Sequence, residues 1–266
     1  MSVTGTGIGE AMTEPRSERN ETVWSPEARA AVERFDPRPT RLRRAAAVGV
    51  AALSRVLMQR LNRVEVFGRE RLDEARARQR PGCGLLTFSN HVSLFDDPWL
   101  LACFSGPEWS SLRWVAADAL NFFGTPLRAR VFNAGKAVPV VRGAGLEQPG
   151  MAFLAERLDA GDWVHIFPEG GRSRDPEGRL RRPLKSGLAH LVRHAQPMLL
   201  GFHHRGMERI APIGSRLPRV GQRVEVRFGA LRARASFGAD AERLMQWVEG
   251  ELLRLEALAF EERSDA

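Results

Sequence analysis

The feature that most constrains the fold of this chain is a regular alternation of strand-like and helix-like segments. Seven short apolar runs have the length and composition of strands: VEVF at 64–67, GLLTFS at 84–89, RWVAA at 113–117, AVPVV at 137–141, DWVHIF at 162–167, PMLLGF at 197–202 and RVEVRF at 223–228. Segments of helical composition lie between them or end the chain, at 69–79, 98–104, 147–160, 183–194 and 240–262. This alternation predicts an α/β fold with a mixed, largely parallel sheet flanked by helices.

Length and composition indicate one folded domain behind a polar extension. A chain of 266 residues can bury a full core, and nothing within residues 39–266 marks a second domain boundary. Residues 1–38 are rich in Gly, Glu, Arg, Ser, Thr and Pro and lack hydrophobic periodicity. They predict a disordered N-terminal extension, without the basic and apolar regions of a secretory signal.

The net charge of +8 favours anionic partners such as phospholipid head groups, phosphate-bearing ligands or nucleic acid. RLRR occurs at 41–44 and at 179–182, but neither stretch has interleaved aromatic residues for base stacking, so nucleic acid is not the expected partner. Cys83 and Cys103 have no metal-ligand spacing. We expect them to be free, buried thiols in a reducing compartment.

The segment at 41–63, RLRRAAAVGVAALSRVLMQRLNR, has the pattern of an amphipathic helix. Its apolar residues form a stripe at helical spacing, made of Leu42, Ala46, Val50, Leu53, Leu57 and Leu61. The uncharged run from Ala45 to Ser54 is about half of the ~20 residues that span a bilayer, and arginines flank it on both sides. Two interpretations fit about equally: a helix that lies in the membrane interface, and a helix that packs on the protein core.

The stretch at 84–98, GLLTFSNHVSLFDDP, combines a buried strand with polar residues at its end. Asp97 before Pro98 predicts the start of a helix, with Asp97 as its N-cap. His91 and Asp96 then lie on the connection between strand and helix. On one continuous helix their side chains would be ~140° out of register, whereas a loop can fold the carboxylate onto the imidazole ring.

A histidine held by a carboxylate at the end of a strand is the arrangement of a general base. If Asp96 accepts a hydrogen bond from one ring nitrogen of His91, the other nitrogen is free to take the proton of an alcohol. Asn90 and Ser93 lie beside this pair and are candidate substrate-binding residues. No metal-ligand cluster or nicotinamide-binding fingerprint is evident, so neither a metal nor a cofactor is expected.

The sequence PEGGRS at 168–173 directly follows another strand. Its glycines predict a tight turn with exposed backbone N–H groups, and Gly170 allows the close approach of a ligand. Glu169 can either bond a substrate hydroxyl or anchor the turn. Arg172 and Ser173 are candidates to bind a phosphate, the arginine in a bidentate manner.

Arg142 follows the apolar run at 137–141 and would be a costly charge to bury without an anionic partner. Lys185 either adds to the same positive site or caps the helix that follows it. Ligands of open α/β sheets bind at the carboxyl ends of the strands. His91, Arg142 and the turn at 168–173 are therefore expected to face one cleft.

These motifs resemble the tafazzin family, within the glycerolipid (1-acylglycerol-3-phosphate) acyltransferase superfamily. The resemblance rests on NHVSLFDDP, RWVAADA, GKAVPVVRG and DWVHIFPEG, which occur in this order within the folded part of the chain. It implies the fold of that superfamily and makes residues 39–266 an acyltransferase domain. It also implies that His91 and Asp96 are the H-x-x-x-x-D catalytic pair, with Glu169, Gly170 and Arg142 on the substrate-binding blocks.

The activity implied is an O-acyltransferase that moves a fatty acyl group onto a lysophospholipid hydroxyl, at the cytoplasmic face of a membrane. Tafazzins move acyl groups between phospholipids without free coenzyme A. One departure favours another donor: the sequence after Glu169, Gly170-Gly171-Arg172-Ser173, is closer to the EGTRS of acyl-CoA-dependent 1-acylglycerol-3-phosphate acyltransferases. The alternative from another functional class is a basic module that binds membranes without catalysis.

Overall fold

A seven-stranded sheet with helices on both faces organises the chain. The computed structural model describes residues 23–193, 195–215 and 217–261. The strands are β1 Arg63–Phe67, β2 Leu85–Ser89, β3 Trp114–Asp118, β4 Ala137–Val140, β5 Trp163–Ile166, β6 Met198–Arg205 and β7 Arg223–Ala233. The α-helices are α1 Pro26–Glu33, α2 Arg41–Val56, α3 Arg69–Ala77, α4 Ala119–Phe123, α5 Pro126–Ala134, α6 Pro149–Asp159, α7 Gly187–Leu191, α8 Met207–Ile210 and α9 Ala241–Glu261. Short π- or 3₁₀-helical turns occupy Leu57–Leu61, Asp96–Leu100, Leu101–Phe104, Trp109–Ser111 and Arg234–Phe237.

The strand order across the sheet is β1-β7-β6-β2-β5-β3-β4. Neighbouring strands pair in parallel, except that β6 and β7 are antiparallel. The strands β2 to β6 therefore run in one direction, and their carboxyl ends lie along the same edge of the sheet. Every predicted strand is present, and β6 and β7 extend well beyond their apolar runs. The prediction of a mixed, largely parallel sheet flanked by helices is confirmed.

The central strand β2 is buried on both faces, which accounts for its continuous apolar run. Leu85 packs on one face of the sheet with Leu72 of α3 and Phe104. The next residue, Leu86, packs on the opposite face with Leu154 of α6. Successive side chains of a strand point to opposite faces, so this one short strand contributes to both halves of the core. It also fixes the position of whatever follows Ser89.

The N-terminal region differs from its prediction. Residues 1–22 lie outside the described part of the chain, but residues 26–33 form helix α1 instead of a disordered extension. Ser25 caps this helix by accepting a hydrogen bond from the Ala28 N–H, and Pro26 occupies its first turn. Ala28 and Ala31 are completely buried. The small size of these alanines hid the apolar face of α1 among polar neighbours.

Other helical segments were predicted in kind but not in extent. The segment predicted at 98–104 is a π turn followed by a 3₁₀ turn, beginning at Asp96, and the one at 183–194 is reduced to α7, Gly187–Leu191. Helices α4 and α5 were not predicted. Cys83 and Cys103 are free as expected, although Cys83 is only half-buried.

Helix α2 resolves one ambiguity of the sequence. Its buried side consists of small residues, Ala51 and Ser54, followed by Met58 in the turn beyond the helix. The predicted apolar stripe lies on the other side, where Leu42 and Leu53 are exposed. The stripe therefore does not pack on the core. Within the described residues, the structure has no helix that combines the length and the hydropathy needed to cross a bilayer.

Candidate active site

His91 and Asp96 are in direct contact at the carboxyl end of β2. The Nδ1 atom of His91 lies 2.9 Å from Oδ2 of Asp96, and the Asp96 side chain is almost completely buried. Since an ionised carboxylate only accepts hydrogen bonds, Nδ1 carries the proton and Nε2 is left as the basic nitrogen. His91 lines a pocket, and no described group forms a hydrogen bond to Nε2. The predicted pairing is thus present in the geometry.

The loop folds back because Asp96 collects several donors. Its Oδ2 atom also accepts hydrogen bonds from the backbone N–H groups of Val92, at 2.7 Å, and Ser93, at 2.9 Å. Burial by itself raises the pKa of Asp96, but neighbouring His204, the hydrogen bond from His91 and the Ser93 N–H outweigh it, and the net pKa is lowered. The carboxylate therefore remains ionised and holds the imidazole in one orientation.

The prediction that Asp97 caps the following helix is wrong. The helical turn begins one residue earlier, at Asp96, and has no side-chain cap. Asp97 instead forms a bidentate ion pair with Arg113, whose Nε lies 2.7 Å from Asp97 Oδ1. Arg113 is itself buried and donates to the Gly135 carbonyl oxygen, so Asp97 compensates an otherwise unpaired buried charge.

The backbone of His91 is tied to the turn that follows β5. Its N–H donates to Oε1 of Glu169 at 2.6 Å, and its carbonyl oxygen accepts from the Ser173 N–H at 2.6 Å. The second carboxylate oxygen of Glu169 accepts from the Arg181 N–H at 2.8 Å. Burial raises the pKa of Glu169 to about 7, although both N–H donors oppose that shift. Of its two predicted roles, Glu169 fills that of anchoring the turn.

Asn90 and Ser93 have structural roles instead of the predicted contact with substrate. The amide group of Asn90 donates to the His204 carbonyl oxygen at 2.8 Å and accepts from the His204 N–H at 2.9 Å. These bonds fasten the end of β2 to the neighbouring strand β6. The hydroxyl of Ser93 lies 3.4 Å from the Ala211 carbonyl oxygen and accepts from the Phe95 N–H. Both side chains are fully buried and neither lines the pocket.

Two buried histidines lie close to the His91–Asp96 pair and were not predicted. Nε2 of His204 is 3.1 Å from the Asn90 carbonyl oxygen and 3.7 Å from Asp96 Oδ2. His165 of β5 lies 2.8 Å from the Thr87 hydroxyl. Burial lowers the pKa of His204 to about 4 and that of His165 well below its ordinary value, so both rings are neutral. The only sign of them in the sequence is polar residues within otherwise apolar strands.

The pocket beside His91 has a volume of about 780 Å³ and mostly apolar walls. The His91 ring stacks on Phe167, with 4.0 Å between ring centroids, and both residues line it. Gly170 and Arg142 line the same pocket, as predicted for the cleft at the strand ends. Arg142 is largely exposed and pairs with Asp118 of β3, whose Oδ2 lies 3.0 Å from the arginine Nε.

Two residues predicted to bind phosphate are not at the pocket surface. The Ser173 hydroxyl donates to the Arg179 carbonyl oxygen at 2.7 Å and accepts from the Asp175 N–H. Both partners belong to the same loop, so the hydroxyl stabilises that loop. Arg172 is half-buried and does not line the pocket. Lys185, which the sequence left between two roles, does line it. The cations at the pocket are therefore a partly different set from the one predicted.

A family comparison agrees with this geometry. The family model described as Acyltransferase matches residues 63–205, which is more than half of the chain and includes His91, Asp96 and the turn at 168–173. The chain belongs to the acyltransferase family. Among the described residues of this acyltransferase, no group of three or more His, Cys, Asp or Glu side chains is arranged to hold a metal ion.

The chain is similar to curated proteins whose names denote different activities. Tafazzin of Drosophila melanogaster is 36% identical over 171 residues, which cover 62% of this chain and 44% of that protein. N-acylphosphatidylethanolamine synthase of Arabidopsis thaliana is 34% identical over 172 residues, covering 62% of this chain and 59% of that protein. A Dictyostelium discoideum relative named taffazin is 31% identical over 183 residues, covering 64% of this chain and 62% of that protein. The chain thus spans about half of the length of these relatives.

A solved structure shares the fold. The 1-acyl-sn-glycerophosphate acyltransferase PlsC from Thermotoga maritima superposes with a TM-score of 0.56 at 22% identity, covering 81% of each chain. This agreement supports the glycerolipid acyltransferase fold that the sequence motifs imply for this acyltransferase.

Sequence reasoning missed the groups that support the site. Arg113 precedes a strand and was included in its apolar run, although Arg113 lines the pocket and its guanidinium binds Asp97. Asp118 ends the same strand and orients Arg142. A charged residue at each end of an apolar run of strand length is a signal that could have identified both.

Proposed function

We propose that this acyltransferase transfers a fatty acyl group from a phospholipid to the hydroxyl of a lysophospholipid. One observation carries the proposal: a carboxylate-held histidine presents its basic nitrogen to an apolar pocket that arginine and lysine also line. Such a pocket suits an acyl chain attached to a phosphate-bearing head group. The similarity to tafazzins supports a phospholipid as the acyl donor.

The proposed reaction begins with Nε2 of His91 taking the proton of the acceptor hydroxyl. The hydroxyl oxygen attacks the acyl carbonyl carbon and forms a tetrahedral oxyanion, while Asp96 stabilises the imidazolium. The intermediate then expels the donor oxygen, which receives the proton from Nε2, so that His91 returns to its starting state. A positioned general base of this kind contributes about 10²- to 10⁴-fold. Donor and acceptor supply all reacting groups, and we propose that the reaction needs no cofactor.

The cations at the pocket would hold the substrate phosphate. Arg142 is exposed and can exchange its contact with Asp118 for a substrate oxygen, and Lys185 lines the same pocket. Holding the phosphate at a fixed point places the hydroxyl near Nε2, and such positioning is a large part of enzymatic rate enhancement. Gly170 allows the turn to come close, because its φ of 66° is one that other residues rarely adopt.

Helix α2 would place the enzyme on its substrate. Its exposed side from Leu42 to Val56 carries no charged residue in the run from Ala45 to Ser54, and arginines flank this run. An apolar face with flanking cations suits a helix that lies among head groups at the cytoplasmic face of a membrane.

Two alternatives differ in donor or acceptor. An acyl-CoA-dependent 1-acylglycerol-3-phosphate acyltransferase is favoured by the EGGRS sequence at 169–173. Transfer to the amine of phosphatidylethanolamine is favoured by the Arabidopsis relative. A basic module without catalysis is disfavoured, because the His91–Asp96 contact has the geometry of a working pair.

One assay separates these functions. The protein is incubated with liposomes that carry a labelled acyl chain and a lysophospholipid, with and without acyl-CoA, beside liposomes that offer only phosphatidylethanolamine as acceptor. Labelled diacyl product without coenzyme A supports the proposal, and its loss in His91→Ala assigns it to this site. Strict dependence on acyl-CoA, a labelled amide, or lipid binding without transfer would each refute it in favour of the corresponding alternative.

A further inference from the structure

Helix α5 exposes an apolar face beside the mouth of the pocket. Leu127 is 71% exposed and Val131 is 60% exposed, and the two residues are four positions apart on one side of the helix. Val131 also lines the pocket. Exposing large apolar side chains to water is unfavourable in free energy, so their exposure at a substrate-binding pocket indicates that an apolar partner covers them.

A second part of the rim of the same pocket is also apolar. Val50 of α2 is 57% exposed and lines the pocket, as does exposed Leu94 from the loop after β2. Helices α2 and α5 pack against each other, so the exposed residues of both helices surround one opening. A single flat apolar phase can contact both parts of the rim at once.

The positive charge of α5 and the segments around it indicates what kind of apolar phase contacts the rim of the pocket. Residues 119–146 include Arg128 and Arg130 but contain neither Asp nor Glu. Arg128 and Arg130 are exposed on α5 itself, one on each side of the midpoint between Leu127 and Val131. A surface that combines exposed apolar side chains with unopposed arginines is complementary to anionic phospholipid head groups and the acyl chains below them.

We propose that α5 is a second lipid-binding element, which together with α2 presses the mouth of the pocket against an anionic phospholipid bilayer. A lipid chain then enters the pocket from the bilayer without crossing water. The role of this contact rests on the proposed function, in which the substrate is a lipid. The binding of α5 to a bilayer does not itself require catalysis.

The test compares two substitutions on α5 with a matched one elsewhere. The variant Leu127→Ser with Val131→Ser removes the apolar face of α5. The control Phe67→Ser removes an apolar side chain that is 40% exposed on β1, at the opposite edge of the sheet from the strand on which α5 packs. Each protein is sedimented with vesicles of phosphatidylcholine and phosphatidylglycerol and with vesicles of phosphatidylcholine alone. Thermal melts confirm that each variant is folded.

We expect the α5 double variant to lose about tenfold in affinity for the anionic vesicles, while Phe67→Ser changes little. Transfer between lipids in vesicles should fall in parallel with the loss of vesicle binding. Unchanged vesicle binding in the double variant would overturn the proposal. So would a lipid-free dimer, seen by analytical ultracentrifugation, that the double variant converts to a monomer, because a second copy would then cover this face.

The vesicle measurement is repeated in the His91→Ala background. If the α5 residues bind vesicles but wild-type protein transfers no acyl group, the proposed function fails and this inference stands. If transfer occurs but the α5 residues are irrelevant to vesicle binding, the inference alone fails.

Discussion

The two sides of the pocket are built in opposite ways. On the proposed catalytic wall, formed by residues 90–96 and 167–173, the N–H and the carbonyl oxygen of His91 both form hydrogen bonds, and Asp96 Oδ2 accepts three. On the helical rim, formed by the exposed faces of α2 and α5, the apolar side chains Val50, Leu127 and Val131 are more than half exposed. Proton transfer requires the reacting atoms to be positioned to within about 0.5 Å, whereas contact with a fluid lipid phase requires no precise positioning of side chains.

The largest expected effect comes from removing the base on the catalytic wall. We predict that His91→Ala lowers kcat/KM by about 10²- to 10⁴-fold, because the acceptor hydroxyl loses its proton acceptor. The backbone bonds of residue 91 do not need the imidazole, so the thermal melt should stay close to that of wild type. Retention of more than a tenth of the activity would mean that another group acts as the base.

Replacing the carboxylate that orients the base tests whether orientation matters as much as the base. Asp96→Asn should lower kcat by about 10²-fold or more, because an amide can donate to Nδ1 and stabilise the wrong tautomer of His91. KM should change little, since Asp96 does not line the pocket. Asp97→Asn is the matched neighbour, and its effect should fall on stability through Arg113. A kcat effect as large for Asp97 as for Asp96 would contradict the assignment.

A smaller effect, on KM, is expected from Arg142 and Arg172, which the sequence both predicts to bind substrate. We predict that Arg142→Ala raises KM for a phosphate-bearing acceptor about tenfold, with partial rescue by Arg142→Lys, because a charge-assisted hydrogen bond contributes about 1.5–3 kcal/mol. Arg172→Ala should raise KM much less, since Arg172 does not line the pocket. Steady-state kinetics with varied acceptor concentration measures both. Equal effects would indicate that Arg172 reaches the substrate.

The sequence predicted features that depend on local patterns but not those that depend on contacts between distant parts of the chain. Strand positions and the His91–Asp96 contact were predictable, because apolar runs of strand length and a carboxylate five residues from a histidine are local patterns. The partners of Asn90 and Glu169 were not, since each bonds to backbone more than ten residues away in the chain. Hydrogen bonds between distant strand ends depend on sheet order, which no local pattern contains. For α2 the sequence defined the apolar stripe but not which side of the helix the core would cover.

Two glutamates, Glu169 and Glu256, bind neighbouring backbone N–H groups in the loop that follows β5 and should respond to pH in different ways. Glu169 accepts a hydrogen bond from the Arg181 N–H. Glu256 of α9 accepts one from the N–H of the adjacent residue Leu180, at 2.6 Å. Burial raises the pKa of Glu169 from 4.5 to about 7. Burial acts in the same direction on Glu256, but His203, whose Nε2 lies 3.7 Å from Glu256 Oε2, and the hydrogen bond from the Leu180 N–H outweigh it and lower its pKa.

Linkage fixes the sign of each contribution to the free energy of unfolding. The folded protein holds the Glu169 proton more tightly than the unfolded chain, so this stabilisation is present below pH 4.5 and is lost as the pH rises to about 7. For Glu256 the stabilisation is present above pH 4.5 and is lost only as the pH falls below it. Glu169→Gln leaves one buried N–H unpaired and should cost about 1–3 kcal/mol. Urea unfolding between pH 5 and pH 8 should show the advantage of wild type over Glu169→Gln shrinking with pH, while its advantage over Glu256→Gln stays constant. Two parallel curves would show that Glu169 is ionised throughout, and its carboxylate would then hold the catalytic turn as firmly at pH 5 as at pH 8.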